Sequence, residues 1–264
     1  MNNENKLVLF LVDGLRPDGL VAADTPTMDS IMASGSYTLK ARTVMPSSTL
    51  PCHMSLFYGV PPGRHGITTN TWVPQVRPVP GLIETIHQSG GVTASFFNWE
   101  QLRDISRPGS LDASFFLKNC ENPGGVGDIE LAMTVSSWMK ENPFHFAFVY
   151  LGYTDIAGHD FGWMSEPYLK GIANADHCIA MILEALPEDT YVILMSDHGG
   201  HGKTHGTDCA EDMTIPIMIK GDGVPAGNEI QQPVTITDIA STIVSLLNIH
   251  CPPEWIGKAI SFEI

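Results

Sequence analysis

Apolar residues in this chain fall in short, separated blocks, and the spacing inside each block assigns it to one of two element types. Residues 6–12, 92–98, 144–151, 191–195 and 213–219 are nearly continuous apolar runs rich in β-branched and aromatic side chains, the pattern of strands buried on both faces. Residues 38–44 read as a further strand. Helical spacing lies between these runs. Thr25-Pro26-Thr27 opens a short helix through Met28, Ile31 and Met32 that Gly35 ends. Further short helices are expected at 54–59 and at 82–87, the second closed by Gly90-Gly91, and Pro61 to Gly66 reads as a rigid loop. Residues 128–140 are helical by Leu131, Val135, Trp138 and Met139. Ser165-Glu166-Pro167 starts a long amphipathic helix that carries Ile172, Ala175, Ile179, Ile182, Leu183 and Leu186 on one face and stops at Pro187. Thr237 is expected to cap a last helix through Leu247. Strands alternating with helices predict an α/β fold with a mostly parallel central sheet covered by helices on both faces. Periodicity fades across 100–127, where Pro108-Gly109 and Pro123-Gly124-Gly125 interrupt the chain, so a small inserted lid is expected there. Residues 1–264 otherwise read as a single domain.

Bulk properties narrow the partners. A chain of 264 residues, 43% hydrophobic, can bury a sizeable core. Its longest apolar run, 7–12, is far too short to span a membrane and runs into Asp13-Gly14 without a small-residue cleavage site, so neither membrane association nor a signal peptide is expected. Cysteines 52, 120, 178, 209 and 251 are odd in number and form no Cys-x-x-Cys, which predicts free thiols and a cytoplasmic location. The formal charge of −15 leaves no basic stripe for a nucleic-acid polymer. A small phosphorylated substrate remains compatible with that charge, because bound divalent cations reverse the local field.

The candidate chemistry concentrates where strands stop. After the run 191–195 come Asp197-His198-Gly199-Gly200, then His201 and His205: one carboxylate and three imidazoles in nine residues, a donor set suited to zinc or manganese. Asp13 follows the first strand, and Asp155, with His159 four residues on, follows the strand ending at 151. A lone strand-end aspartate usually shapes a turn. Three of them on one edge of a parallel sheet, two with histidines nearby, point to a pair of metal ions about 4 Å apart, able to hold the attacking and leaving oxygens of an in-line phosphoryl displacement. The turn Ser47-Ser48-Thr49 offers three candidate nucleophilic hydroxyls, and composition does not choose among them.

The ordered set of motifs resembles the alkaline phosphatase superfamily, and within it the nucleotide pyrophosphatase/phosphodiesterase branch. Thr49-Leu50-Pro51-Cys52-His53 is similar to that branch's Thr-Phe-Pro-Asn-His nucleophile motif, and Gly59 with His65-Gly66-Ile67-Thr68-Thr69-Asn70 matches its following segment. Asp13-Gly14, Asp155 to His159, Ser196-Asp197-His198-Gly199 and the Thr237-Asp238-Ile239 helix fall in the family's order. The resemblance implies an alkaline phosphatase-like catalytic domain that hydrolyses a small phosphoester, such as a nucleotide, through a phosphothreonine on Thr49. It implies two divalent ions, zinc or manganese, one held by Asp13, Thr49, Asp197 and His198 and the other by Asp155, His159 and His205. Asn70, with the Leu50 N–H, is implied to bind a nonbridging phosphate oxygen. His53 and His65 are expected to support the loop, and His201 to stand behind the ligands. Two departures from the family pattern are Cys52, where the motif has asparagine, and a chain shorter than typical members. The sulfatase branch is disfavoured, since its Cys/Ser-x-Pro-x-Arg motif is absent, as is a phosphoglycerate mutase, which needs more basic side chains. The alternatives are a phosphomonoesterase or phosphonate hydrolase, for which Arg42 and Arg103 are the candidate phosphate-binding cations, and a non-catalytic metal-dependent binding protein.

Overall fold

The computed structural model describes residues 5–262. Its centre is β1 (Lys6–Val12), where Leu7 through Val12 are fully buried on both faces. The pleat sends Leu7, Leu9 and Leu11 into one core layer and Val8, Phe10 and Val12 into the other. Burying each of these side chains contributes about 1.5–3 kcal/mol, which makes this strand the natural axis of the fold. After it come α1 (Pro17–Ala22), α2 (Pro26–Ser34) and β2 (Ser36–Arg42). Next are α3 (Thr49–Tyr58), α4 (Pro62–His65), α5 (Leu82–Gln88), β3 (Thr93–Phe97) and β4 (Ala113–Phe116). Then follow α6 (Val126–Glu141), β5 (Phe146–Leu151), α7 (Tyr153–Phe161), α8 (Glu166–Leu183) and β6 (Thr190–Met195). The chain finishes with α9 (Ala210–Met213), β7 (Thr214–Lys220), the two-residue β8 (Asn228–Glu229) and α10 (Asp238–Leu246).

Among the described residues these strands form one eight-stranded sheet in the order β4-β3-β5-β1-β6-β7-β2-β8. β1 pairs in parallel with β5, Leu7 opposite Phe146, and with β6, Leu7 opposite Tyr191. Buried residues of α3, α5 and α10 pack on one face, and those of α2, α6 and α8 on the other. The mostly parallel sheet expected from the sequence is therefore present. β7 is the exception: it runs antiparallel to both β6 and β2. Parallel neighbours need a crossover of a dozen or more residues across a sheet face. The segment after β6 instead stays on the edge where β6 ends and carries only the four-residue α9, so the chain turns back on itself.

Four boundaries differ from the sequence reading. The 45–53 turn is helical from Thr49 onward, because Ser48 sits at the N-cap with extended backbone and the following apolar run is buried throughout. Pro62 to His65, read as loop, forms a helical turn. Segment 100–127, read as an inserted lid, contains Ala113–Phe116 as an edge strand parallel to β3, with Phe115 stacked on Phe96. The turn carrying Asp155 and His159 is a nine-residue helix, α7. Its first amides are held by Asp128 of α6, which accepts the Gly152 N–H (3.2 Å) and the Tyr153 N–H (3.3 Å).

Candidate active site

Three adjacent parallel strands bring the three aspartates together. Asp13 follows β1, Asp197 lies just beyond β6, and Asp155 sits in the first turn of α7 after β5, so all three occupy the edge where open α/β sheets bind ligands. Each carboxylate has an oxygen left without a hydrogen-bond partner although buried: Asp13 Oδ1, Asp155 Oδ1 and Asp197 Oδ2. The other oxygens of two of them are anchored. Tyr150 O–H donates to Asp13 Oδ2, and the Gly14 N–H donates to Asp197 Oδ1 at 3.3 Å. Gly14 has φ +68°, and a Cβ there would come within 3.2 Å of Asp155, so this approach of β1's exit to α7 requires glycine.

The histidines are oriented with equal consistency. The Nδ1–H of His198 donates to Gly199 O (2.8 Å), that of His205 to Ser47 O (2.8 Å), and that of His159 to Lys203 O (3.0 Å). A carbonyl only accepts, so the neutral form of each ring carries its proton on Nδ1 and its lone pair on Nε2, the arrangement that fixes a metal-ligating imidazole. His198 Nε2 lies 3.3 Å from Asp13 Oδ1 and 3.5 Å from Asp197 Oδ2. His205 Nε2 is 3.7 Å from Asp155 Oδ1, and His159 Nε2 is 3.5 Å from Asp155 Oδ2. Thr49, first residue of α3, places Oγ1 3.2 Å from His198 Nε2 and donates its proton there.

These groups form two overlapping donor sets, Asp13–Asp197–His198 and Asp155–His198–His205, each with its ligand atoms within 4.8 Å of one another. Thr49 joins the first through His198, and His159 joins the second through Asp155. The arrangement differs from the expected partition in one respect: His198 stands between the sets, its ring stacked on that of His205 at 3.9 Å. Burial and then the Asp197 charge push the Asp13 carboxyl well above its ordinary range; burial and then Asp13 do the same to Asp155. Asp197 is raised to about 8 by burial and by Asp155. His205 is pushed down to about 3 by burial and by His198. Among the described residues, the ionic partners of these carboxylates are all histidines. Orphaned buried carboxylate oxygens facing unprotonated imidazoles are what divalent cations satisfy, so the residues present fit a metal centre.

Asn70 lies beside the start of α3 in a different relation from the one expected. The Leu50 N–H donates to Asn70 Oδ1 at 3.0 Å, so it does not stand as a second phosphate donor. It fixes the amide instead, leaving the Asn70 NH₂ as donor. His53 supports α3 from within: its Nδ1–H donates to Thr49 O at 2.7 Å, and burial lowers it to about 3, so it stays neutral. His65 accepts the Ile67 N–H and donates to Ser55 Oγ. His201 turns away from the centre and bonds Asp212 Oδ1 at 2.7 Å. Arg103 pairs with Glu100 and lies over the Phe116 ring, and Arg42 ends β2 on the surface.

Sequence reading missed four supports. Tyr150 anchors Asp13. Trp163 Nε1–H and Tyr168 O–H both donate to Gly14 O, at 3.0 and 2.9 Å. Arg16 donates to Gly200 O at 2.8 Å while paired with Asp18. Tyr150 lies inside an apolar strand run and reads as core, while Trp163 and Tyr168 lie outside the set of residues that the spacing assigns to the apolar face of the long helix. Arg16 followed Asp13-Gly14 closely enough to be noticed, but nothing in the sequence tied it to Gly200. Beside Gly152, where a Cβ would meet Asn98 and Cys120, a cavity of about 340 Å³ opens, lined by Asn98, Trp99, Lys118, Asn119 and Cys120 among others.

A central sheet whose strand ends gather buried aspartates and histidines beside a threonine hydroxyl at the first residue of a helix defines a metal-dependent α/β protein of the alkaline phosphatase type. A family model described as type I phosphodiesterase / nucleotide pyrophosphatase matches residues 7–85 and 84–212, and the chain belongs to that family. Rat ectonucleotide pyrophosphatase/phosphodiesterase family member 1 is 27% identical over 221 residues, covering 73% of this chain and 24% of that protein. The chain thus spans about a quarter of the length of the curated relatives it matches. Murine ectonucleotide pyrophosphatase/phosphodiesterase 5, solved as an inactive form in complex with AMP, shares the fold at a TM-score of 0.79 and 17% identity, with 98% of each chain covered. Phosphonate monoester hydrolase of Agrobacterium radiobacter aligns at a TM-score of 0.78 and 16% identity, over 97% of this chain and 76% of that one.

Proposed function

We propose that this chain is a two-metal phosphoester hydrolase that cleaves phosphodiesters or nucleotide pyrophosphates, with Thr49 as nucleophile. The observation that carries the reading is Thr49 Oγ1 at the N-terminus of α3, 3.2 Å from His198 Nε2, which itself lies 3.3 Å from Asp13 Oδ1 and 3.5 Å from Asp197 Oδ2. Asp13, Thr49, Asp197 and His198 would hold one ion, and Asp155, His159 and His205 the other, with zinc favoured over manganese by the three imidazoles. When bound, the ions supply Lewis acidity that favours the deprotonated threonine hydroxyl and offsets charge on the phosphoryl group.

The chain's own residues do the rest. The N-terminal end of α3 presents Thr49 with the positive end of the helix dipole toward an incoming phosphate. Oγ1 gives up its proton to solvent and forms a bond to phosphorus as the bond to the leaving oxygen breaks, giving a phosphothreonine, and the leaving oxygen takes a proton from solvent. Water then attacks phosphorus and the bond to Thr49 Oγ1 breaks, returning the hydroxyl. Asn70, steadied by Leu50, donates its NH₂ to a nonbridging oxygen on which charge builds. With positioning and charge stabilisation supplying the rate, the precise seating of Thr49 matters more than added chemistry.

Charge balance favours a diester. A monoester brings two negative charges, and the cations bordering the site are engaged elsewhere: Arg16 with Asp18 and Gly200 O, Lys203 with Asp160 O. The relatives named as nucleotide pyrophosphatases and the AMP-bound neighbour support a nucleotide as the esterified group, for which the cavity beside Gly152 is the proposed seat. Five unpaired cysteines support a reducing, cytoplasmic location.

The test is hydrolysis of bis-p-nitrophenyl phosphate by the metal-loaded protein and by Thr49→Ala. The variant is expected to lose at least about a thousandfold in kcat while retaining its metal content. Equal rates would remove Thr49 from the mechanism. Tight metal uptake without turnover on any ester would favour a binding protein, and faster cleavage of p-nitrophenyl phosphate or its phenylphosphonate ester would move the substrate to a monoester or phosphonate.

A further inference from the structure

A third cluster of metal-ligating side chains lies outside the centre, in the segment that joins β6 to β7. His201 Nδ1, Cys209 Sγ and Asp212 Oδ1 all lie within 4.8 Å of one another. We propose that these three atoms form a separate site for a thiophilic divalent cation such as zinc, which pins the loop carrying His198 and His205.

The geometry is close to what such an ion needs. Tetrahedral zinc, with Zn–S about 2.3 Å and Zn–N about 2.0–2.1 Å, sets its sulfur and nitrogen ligands roughly 3.6 Å apart. Cys209 Sγ and His201 Nδ1 are already 3.5 Å apart. Of the other two edges, Cys209 Sγ to Asp212 lies within 4.8 Å, and His201 Nδ1 to Asp212 Oδ1 is a 2.7 Å hydrogen bond that opens when an ion replaces the shared proton. Asp212 is prepared for this exchange. Its Oδ2 accepts from the Thr207 N–H (2.9 Å) and the Thr207 hydroxyl (2.8 Å), so the carboxylate stays fixed while Oδ1 faces the ion. On binding, the ring proton of His201 moves through solvent from Nδ1 to Nε2 and the Cys209 thiol proton is released to solvent, leaving neutral imidazole, thiolate and carboxylate as ligands.

Cys209 stands apart from the other cysteines. Cys52, Cys120 and Cys178 are buried, and burial raises each thiol. Cys251 sits against Ser241 Oγ and Pro252 O. Cys209 is half-buried, with an imidazole and a carboxylate in reach and Asp208 and Glu211 adding negative charge alongside. That partial exposure leaves an entry path and an open position for water. A sulfur ligand also separates this site chemically from the centre, whose donors are nitrogen and oxygen only. The inference therefore stands whether or not the phosphoester reading holds.

The experiment is titration of the full chain with cadmium, followed by ultraviolet thiolate-to-cadmium absorption, with zinc content measured in parallel. The wild type should develop a charge-transfer band that saturates at one thiolate-bound ion per chain. Cys209→Ser should lose the band and hold one zinc fewer, Cys251→Ser should keep both, and His201→Gln should weaken cadmium binding at least tenfold. Unchanged circular dichroism in Cys209→Ser would show that the fold is intact. No band in the wild type, a band surviving Cys209→Ser, or indifference to His201→Gln would overturn the site and leave His201–Asp212 as a hydrogen-bonded pair alone.

Discussion

Leu50 and Asn70 illustrate how much at this centre is decided by single atoms. The Leu50 N–H holds Asn70 Oδ1, so the amide can present only its NH₂ to substrate. Asn70→Asp retains the acceptor for Leu50 but exchanges the donor for a negative charge, whereas Asn70→Ala removes both. Removing one such donor typically costs 10²–10³ in kcat, so Asn70→Ala should fall by about that range and Asn70→Asp by at least as much. Steady-state rates on a phosphodiester check the order, and an aspartate variant faster than the alanine variant would deny Asn70 its donor role. Tyr150 makes a parallel case. Its hydroxyl is the anchor of Asp13 Oδ2, and it packs edge-on to His53 at 5.5 Å. Partners of this kind are worth about 10–100-fold in metal affinity. Tyr150→Phe should weaken zinc binding by that factor with little loss of stability, measured by competition with a chromophoric chelator.

The elements that carry ligands are secured by buried polar contacts at their ends, and α7 depends most visibly on one residue. Asp128 of α6 is fully buried and accepts from Asn98 Nδ2 (2.7 Å), Gly152 N–H and Tyr153 N–H, clamping the start of the helix that bears Asp155 and His159. Asp128→Ala leaves three donors unsatisfied in a dry interior, so it should destabilise the chain by about 1–3 kcal/mol per uncompensated group. Asp128→Asn, which keeps a carbonyl acceptor, should cost less. Urea unfolding of both variants checks the ordering. This clamp also marks where sequence reading stopped. The strands were legible because β1, β5 and β6 are buried on both faces and therefore uniformly apolar, and the aspartates after them stood out by contrast. The pairing of Asp128 with Gly152 spans a strand and a turn, and no local spacing encodes it. β4 escaped for a related reason: it is a four-residue edge strand, half-exposed and flanked by turn residues. The helical start at Thr49 was hidden by Pro51, which reads as a break but is tolerated in a first helical turn.

Across the whole molecule, three carboxylates are held at one sheet edge at a cost that depends on pH and on bound cations. Asp197 has an ordinary value of 3.8 and is raised to about 8 in the fold, chiefly by burial and then by Asp155; Asp13 and Asp155 are raised as well. A carboxyl raised on folding binds its proton more tightly in the native state, so its stabilisation is complete below about pH 4 and is lost as pH rises through about 8. Over that window these three groups should make the metal-free protein progressively less stable. Divalent ions invert the trend, because they replace the protons and bind the charged carboxylates, releasing more stabilisation as pH rises. Thermal melts in chelator and in excess zinc should therefore diverge between pH 5 and pH 8, the chelated protein falling and the gap widening. For a chain of this size each 1 kcal/mol moves Tm by about 2–4 °C, so a gap of several degrees at pH 8 is expected. Asp197→Asn should flatten the chelated curve, since it takes out the group whose proton is at stake. Parallel curves with and without zinc across that range would mean that the three aspartates are not paired with cations, and the case for a metal centre would fail with them.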